Sequence, residues 1–167
     1  MPVTIRDAGM EDIETMVALL HQLFAIEKDF RIDIQRHRRG LELMLDGCGK
    51  HRCVKVAEAL GTVVGMGSAQ LLISTAEGGA AALIEDIVVD ARWRRNGIGR
   101  RIIDALERWG IERGVTRMQL LADRTNFAAL DFYDRIGWLP TRMICLRRRS
   151  AEMRGTPPCR IPSCPER

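Results

Sequence analysis

No stretch of the chain approaches the roughly 20 consecutive apolar residues that crossing a bilayer requires, so no membrane partner is expected. The start, Met1-Pro2-Val3-Thr4-Ile5-Arg6-Asp7, lacks the apolar run of a secretory signal and reads as a strand entering the fold. Charge of one sign is in slight excess: 26 Lys and Arg against 22 Asp and Glu leave +4. That suits an anionic ligand but does not argue for nucleic acid. The five cysteines, Cys48, Cys53, Cys145, Cys159 and Cys164, are odd in number and scattered, which speaks against a disulfide framework and for a reducing cytoplasm. Cys48, His51 and Cys53 supply only three donors in one short segment with no fourth nearby, so no metal is expected. The histidines His21, His37 and His51 belong to no catalytic pattern, and the chain has no internal repeat.

What is present fits one domain with a substantial core: 167 residues, 46% hydrophobic and 29% charged. Residues 3–7 read as a strand. Ile13, Met16, Val17, Leu20, Leu23 and Phe24 recur at helical spacing within a helix expected over Met10–Lys28. A second helix is expected over Ile34–Asp46, stopped by Gly47. Cys53–Ala59 and Thr62–Ser74 read as strands joined by a hairpin at Leu60-Gly61, followed by a loop over Thr75–Ala82 and a strand over Leu83–Asp90. A helix is expected over Gly97–Arg113, closed by Gly114, then a strand over Thr116–Ala122, a helix over Asn126–Ile136 and a last strand over Thr141–Arg148. Four of the six prolines fall in Ser150–Arg167, which shows little apolar periodicity and is expected to be a disordered tail behind a domain of residues 1–149. The order describes a mixed α/β domain.

The most informative segment is Arg92-Trp93-Arg94-Arg95-Asn96-Gly97-Ile98-Gly99-Arg100-Arg101, with five arginines and two glycines between a strand and a helix. A helix N-terminus already carries about half a unit of positive charge, so arginines there are locally unfavourable by roughly 0.3–1 kcal/mol each unless an anion sits on the turn. Glycines let a phosphate approach the backbone. A dinucleotide fingerprint needs a glycine where the chain has Ile102, and a P-loop needs Gly-Lys-Ser/Thr where it has Gly99-Arg100-Arg101. Neither fits.

The remaining pattern, Arg94-x-x-Gly97-x-Gly99, together with Asn126-x-x-Ala129-x-x-Phe132-Tyr133-x-x-x-Gly137-Trp138, resembles the Gcn5-related N-acetyltransferase (GNAT) family over about residues 3–146. The resemblance implies an α/β (α+β) fold, a central mixed and mostly antiparallel sheet flanked by about four helices. It also implies acetyl-coenzyme A as co-substrate and no metal. In that likeness Ile87, Val88 and Val89 offer backbone groups to the pantetheine arm. The N–H groups of Arg95, Asn96, Gly97, Ile98, Gly99 and Arg100, with Arg94, cradle the pyrophosphate. Asn126 contacts the cofactor where two strands splay, beside Phe132, and Tyr133 faces the thioester sulfur. Arg92 and Arg101 are left without an assigned partner.

The implied reaction is direct attack of an amine on the acetyl carbonyl, which needs a base for the amine and a proton for the thiolate. Tyrosine, with a pKa near 10, suits a thiolate of pKa about 8.5. Glu85 is the candidate base: the family resemblance favours it over Asp86, and an acid inside an apolar strand needs a reason to be there. Strand alternation puts Glu85 and Asp86 on opposite faces, so only one looks into the cleft. Asp86 stays open as the alternative, because a bulge would re-aim the pair. Two bland readings stand beside these: Asn126 as a helix cap, and Tyr133 as core packing with Ala129 and Ile136.

The acceptor wall is expected around Glu27, Asp29, Asp33 and Glu42. The layout of Leu19–Glu27, with Glu85-Asp86 before the turn, resembles the diamine and polyamine acetyltransferase branch, which implies a small cationic amine. A peptide N-terminus, a lysine or an aminoglycoside stays open, as does a homodimer. A non-catalytic acyl-coenzyme A sensor is the alternative from another class. A nucleic-acid module finds only Trp93 as a stacking residue near the arginines.

Overall fold

The computed structural model describes residues 2–27, 31–46 and 49–147. Its centre is an antiparallel meander of β2 (Arg52–Ala59), β3 (Thr62–Ser74) and β4 (Gly79–Val89). Leu60 and Gly61 close the first hairpin with left-handed φ values of 52° and 72°, the geometry a two-residue turn requires. β1 (Val3–Asp7) adds antiparallel to β2, and β5 (Arg117–Leu120) adds parallel to β4, which completes a five-stranded sheet in sequence order.

Both faces of the sheet are covered. On one, α1 (Ile13–Phe24) and α2 (Ile34–Leu45) bury Ile13, Met16, Val17, Leu20 and Leu41 against Val54, Val56, Met66 and Val88. On the other, α3 (Ile98–Ile111) buries Ile98, Ile102, Leu106 and Trp109 against Ala57, Val64, Ala69 and Ile84. Small residues on the sheet let α3 approach closely: a Cβ on Gly67 would lie 2.5 Å from Ile87 and 2.8 Å from Ile102. α4 (Phe127–Arg135) follows β5 and buries no residue fully.

Several expected boundaries move. The first helix opens with a 3-10 turn over Met10–Asp12 and ends at Phe24. Asp12 is only 5% exposed there, accepting two bonds from Arg6 (2.7 and 2.9 Å) and one from the Gly9 N–H. β4 starts at Gly79 instead of Leu83, because residues 79–82 pair with Leu71–Ser74 and shorten the expected loop. The expected strand over Thr141–Arg148 is absent from residues 141–147. Alternation needs a ladder partner to become a strand, and here Met143 and Leu146 are 87% and 85% exposed with no ladder partner among the described residues. Arg148, the tail over 150–167, Lys28, Asp29, Gly47 and Cys48 lie outside the described residues.

Candidate functional site

The arginine–glycine turn is built locally and tied down from α1. Asp90, just past β4, accepts from the Arg92 backbone N–H and from the Arg92 guanidinium, both at 3.0 Å. The guanidinium holds its carboxyl down at about 2. Gln22 of α1 donates to the same carboxylate (3.1 Å) and accepts from the Ala91 N–H (3.3 Å), so the turn is fastened to the helix above it. Arg94 Nε reaches back to the Val89 carbonyl (3.0 Å), and the Asn96 amide folds onto the carbonyls of Trp93 and Arg94, both at 3.2 Å. The Asn96 side chain therefore shapes the turn from within.

Arg95 and Gly97 take φ values of 63° and 72°, and Gly97 is the N-cap of α3 with no side-chain capping bond. The N–H groups of the first helical turn have no intrahelical acceptor, so together with the left-handed pair they form an electropositive hollow. The two motif glycines differ. At Gly97 the backbone demands glycine while the space around it is open. At Gly99 an added Cβ would meet the Phe132 ring at 3.4 Å, an ordinary contact. Two further arginines have partners: Arg101 donates to the Val3 carbonyl (2.7 Å), and Arg100 lies 3.8 Å from Asp104.

The second half of the site comes from a bulge. Met66 pairs with Val88 and Ser68 with Glu85, so Asp86 and Ile87 together face the single residue Gly67. Asp86 takes φ 57° to make this possible, a strained value for a non-glycine residue. The bulge overturns the expected opposition of Glu85 and Asp86. Ile84 and Ile87, three residues apart, both pack on the α3 side, while Val88 packs on the α1 side. Glu85 and Asp86 thus share the α1 side. Their contacts confirm it: Gln70 Nε2 donates to Glu85 Oε2 (3.3 Å), and Ser68 Oγ lies 3.5 Å from Asp86 Oδ2, with Ser68 and Gln70 in phase with Met66.

Burial pushes the Asp86 carboxyl up to about 6, with the charges of Glu85 and Glu27 adding to the rise and the Ser68 hydroxyl opposing it. Burial likewise pushes Tyr133 up to about 12, again with Glu27 contributing. Glu27, beyond α1, therefore acts on both Asp86 of β4 and Tyr133 of α4. The Tyr133 ring is set by Phe132 and Trp138, at centroid distances of 5.2 and 6.3 Å.

Between turn and carboxylates lies an open strand edge. β4 pairs with β5 from Ala81 to Ile84 and no further, so beyond Ile84 the β5-facing edge of β4, through Ile87, Val88 and Val89, has no ladder partner among the described residues. Asn126 caps α4 by accepting from the Ala129 N–H (3.2 Å), which is its capping role. Of the carboxylates expected at the acceptor wall, Asp33 caps α2 and pairs with Arg36, Glu42 pairs with Arg39, Glu27 acts on Asp86 and Tyr133, and Asp29 lies outside the described residues. Sequence reasoning missed Gln22, Ser68 and Gln70. The signal for the latter two was two polar residues in phase inside an otherwise apolar strand.

Residues 19–138 match the family model described as the Acetyltransferase (GNAT) family. No curated protein sequence matches the chain. Among solved structures, a transcriptional regulator from Bacillus halodurans C-125 is 26% identical, covering 89% of this chain and 100% of its own, with a TM-score of 0.76. The aminoglycoside N-acetyltransferase AAC(6')-Iy, solved in complex with CoA, is 21% identical over 89% of this chain and 95% of its own (TM-score 0.74). Glucosamine-6-phosphate N-acetyltransferase from Arabidopsis thaliana is 22% identical over 89% and 99% (TM-score 0.70). The likeness to these two enzymes concerns the fold.

Proposed function

The chain belongs to the acetyltransferase (GNAT) family, and we propose that it is an N-acetyltransferase moving an acetyl group from acetyl-coenzyme A to a primary amine of a small cationic molecule. The observation that carries this reading is the bulge in β4: two carboxylates, Glu85 and Asp86, share one face directly beside the point where β4 leaves β5.

The donor half rests on the hollow at the start of α3. Left-handed Arg95 and Gly97, unpaired first-turn N–H groups and open space at Gly97 suit a pyrophosphate. The N–H groups of Arg95, Asn96, Gly97, Ile98, Gly99 and Arg100 hold it, with Arg94 behind them. The free edge at Ile87, Val88 and Val89 takes the amide-rich arm as an added strand, and Asn126 and Phe132 border the opening. When bound, the co-substrate supplies an acetyl thioester.

In the acceptor half, Asp86 is the base. A carboxyl at about 6 is ionised at neutral pH yet basic enough to take a proton from an attacking amine. The amine N–H bond breaks as the carboxyl O–H forms. Tyr133, protonated throughout this range, gives its phenolic proton to the departing sulfur and regains one as Asp86 discharges to solvent. Glu85, oriented by Gln70, and Glu27 add negative charge that selects cationic amines, polyamines foremost.

A thiol-release screen across polyamines, aminoglycosides, peptide N-termini and lysine peptides tests this. Amine-dependent release is expected, strongest with multiply charged small amines. Coenzyme A binding without release across the panel would instead identify a non-catalytic sensor, a reading suggested by the Bacillus halodurans relative being described as a transcriptional regulator.

A further inference from the structure

Ser68 is a buried polar side chain that neither the family motifs nor the proposed proton transfers use. It is 2% exposed, pairs with Glu85 beside the bulge, and belongs to a strand otherwise buried with apolar or small residues from Val63 to Ala69. Its hydroxyl oxygen has two acceptors within reach: the Glu85 carbonyl at 3.2 Å and Asp86 Oδ2 at 3.5 Å. A serine carries one donated proton and two lone pairs, so it satisfies only one of these as donor at a time.

We propose that Ser68 is a positioning residue whose hydroxyl turns between the Glu85 carbonyl and the Asp86 carboxylate as Asp86 loses and gains the proton of the amine. The inference rests on the reading of Asp86 as the base. When Asp86 is ionised, the hydroxyl donates to Oδ2 and stabilises the charge. When Asp86 has taken the proton, the hydroxyl donates to the Glu85 carbonyl, and its lone pair accepts the new carboxyl O–H. Both states are then hydrogen-bonded, and no buried polar atom is stranded during turnover. The Glu85 carbonyl sits within the bulge, so the same hydroxyl holds the distorted backbone that points Asp86 at the acceptor space.

Other groups acting on Asp86 all oppose its charge: Glu85 on its own strand and Glu27 beyond α1. Tyr133 of α4 shares the field of Glu27. From β3, Ser68 is the group that favours the ionised form, so its removal has a defined sign.

The test is carbon-13 carboxyl NMR on the full chain, with the Asp86 resonance assigned through Asp86→Asn, alongside the pH dependence of kcat at saturating amine. In Ser68→Ala the Asp86 midpoint rises by about 0.5–1 pH unit, the shift expected for one lost hydrogen bond of ordinary net strength. The activity loss is about 3–8-fold larger at pH 5.5 than at pH 8.5, following from that shift. Ser68→Cys, a weaker donor of similar size, gives an intermediate midpoint and stands in if the alanine variant folds poorly. An unchanged Asp86 midpoint in both variants, or a loss equal at both pH values, overturns the proposal and leaves a packing role. Full amine-dependent activity in Asp86→Asn overturns instead the base assignment on which it rests.

Discussion

The two ends of the site are made in different ways. The hollow at Arg94–Arg100 comes from consecutive residues: a short turn, two left-handed positions and the first turn of a helix. Its shape is set by backbone conformation and by bonds spanning two to five residues, such as Arg94 to the Val89 carbonyl. The proposed acceptor side draws on Glu27 beyond α1, Ser68 and Gln70 of β3, Glu85 and Asp86 of β4, and Tyr133 of α4. It exists only because β3 and β4 are out of regular register by one residue. An arrangement of the first kind depends on distant segments mainly through its fastening to Gln22 of α1; one of the second kind is sensitive to every element that contributes.

Asp86→Asn separates the two ends most sharply. Amine-dependent kcat/KM falls about 10²–10⁴-fold, the usual worth of a positioned base, while coenzyme A affinity by calorimetry stays within about threefold. Equal losses in both would break the division. The same variant is expected to be more stable. The folded-state pKa of Asp86, about 6, lies above the 3.8 of the free group, so the folded protein holds that proton more tightly than the unfolded chain does. Stability is therefore fully present below pH 4 and declines as pH rises through 6, by at most roughly 3 kcal/mol. Asparagine removes that cost and accepts the left-handed φ more readily. Its melting temperature should exceed that of the parent at pH 8 and nearly match it at pH 4; a variant less stable at pH 8 would contradict the strained-base picture.

Tyr133→Phe is the next largest effect, a fall in kcat of about 10–100-fold with little change in KM for either substrate. Retention of full kcat would mean that solvent protonates the thiolate and the ring only packs against Phe132 and Trp138.

The donor end is sharpened by its own pair of glycines. Gly97→Ala forces a left-handed alanine and is expected to cost about 1–2 kcal/mol, with coenzyme A affinity falling about tenfold, a ratio corresponding to about 1.4 kcal/mol. Gly99→Ala adds only an ordinary contact with Phe132 and should change stability by about 0.5 kcal/mol or less. Chemical denaturation of both variants checks this, and equal penalties would mean that backbone angle is not what distinguishes the two positions. The smallest effect belongs to Arg101→Ala. Its guanidinium is bonded to the Val3 carbonyl, so coenzyme A affinity should stay within about twofold. A tenfold loss would show that Arg101 leaves β1 to reach the co-substrate.

This contrast explains what was legible in the residues. The turn was readable because glycine and arginine at fixed spacing act over one helical turn, although the spacing did not show that Arg92 and Arg101 are engaged elsewhere. The pair Glu85-Asp86 was visible as misplaced charge in an apolar run, yet period-two alternation assigned its members to opposite faces. The bulge that reunites them depends on which residues of β3 sit opposite, and that pairing is set 17 residues away in the chain. Ser68 and Gln70 went unassigned for the same reason. The expected strand over 141–148 failed in the other direction: its pattern was adequate, but no neighbouring edge takes up residues 141–147.

By itself the sequence determined the order of elements through the end of α4, the helix that starts at the arginine–glycine turn, and the capping asparagine before α4. Each of these is decided by neighbours within one or two helical turns, where propensity, capping and periodicity act. Tertiary structure alone decided that Glu85 and Asp86 face the same way, that Glu27 acts on both Asp86 and Tyr133, and that β4 is free beyond Ile84. Those facts follow from strand register and from burial, and both arise only when segments distant in the chain are packed against one another.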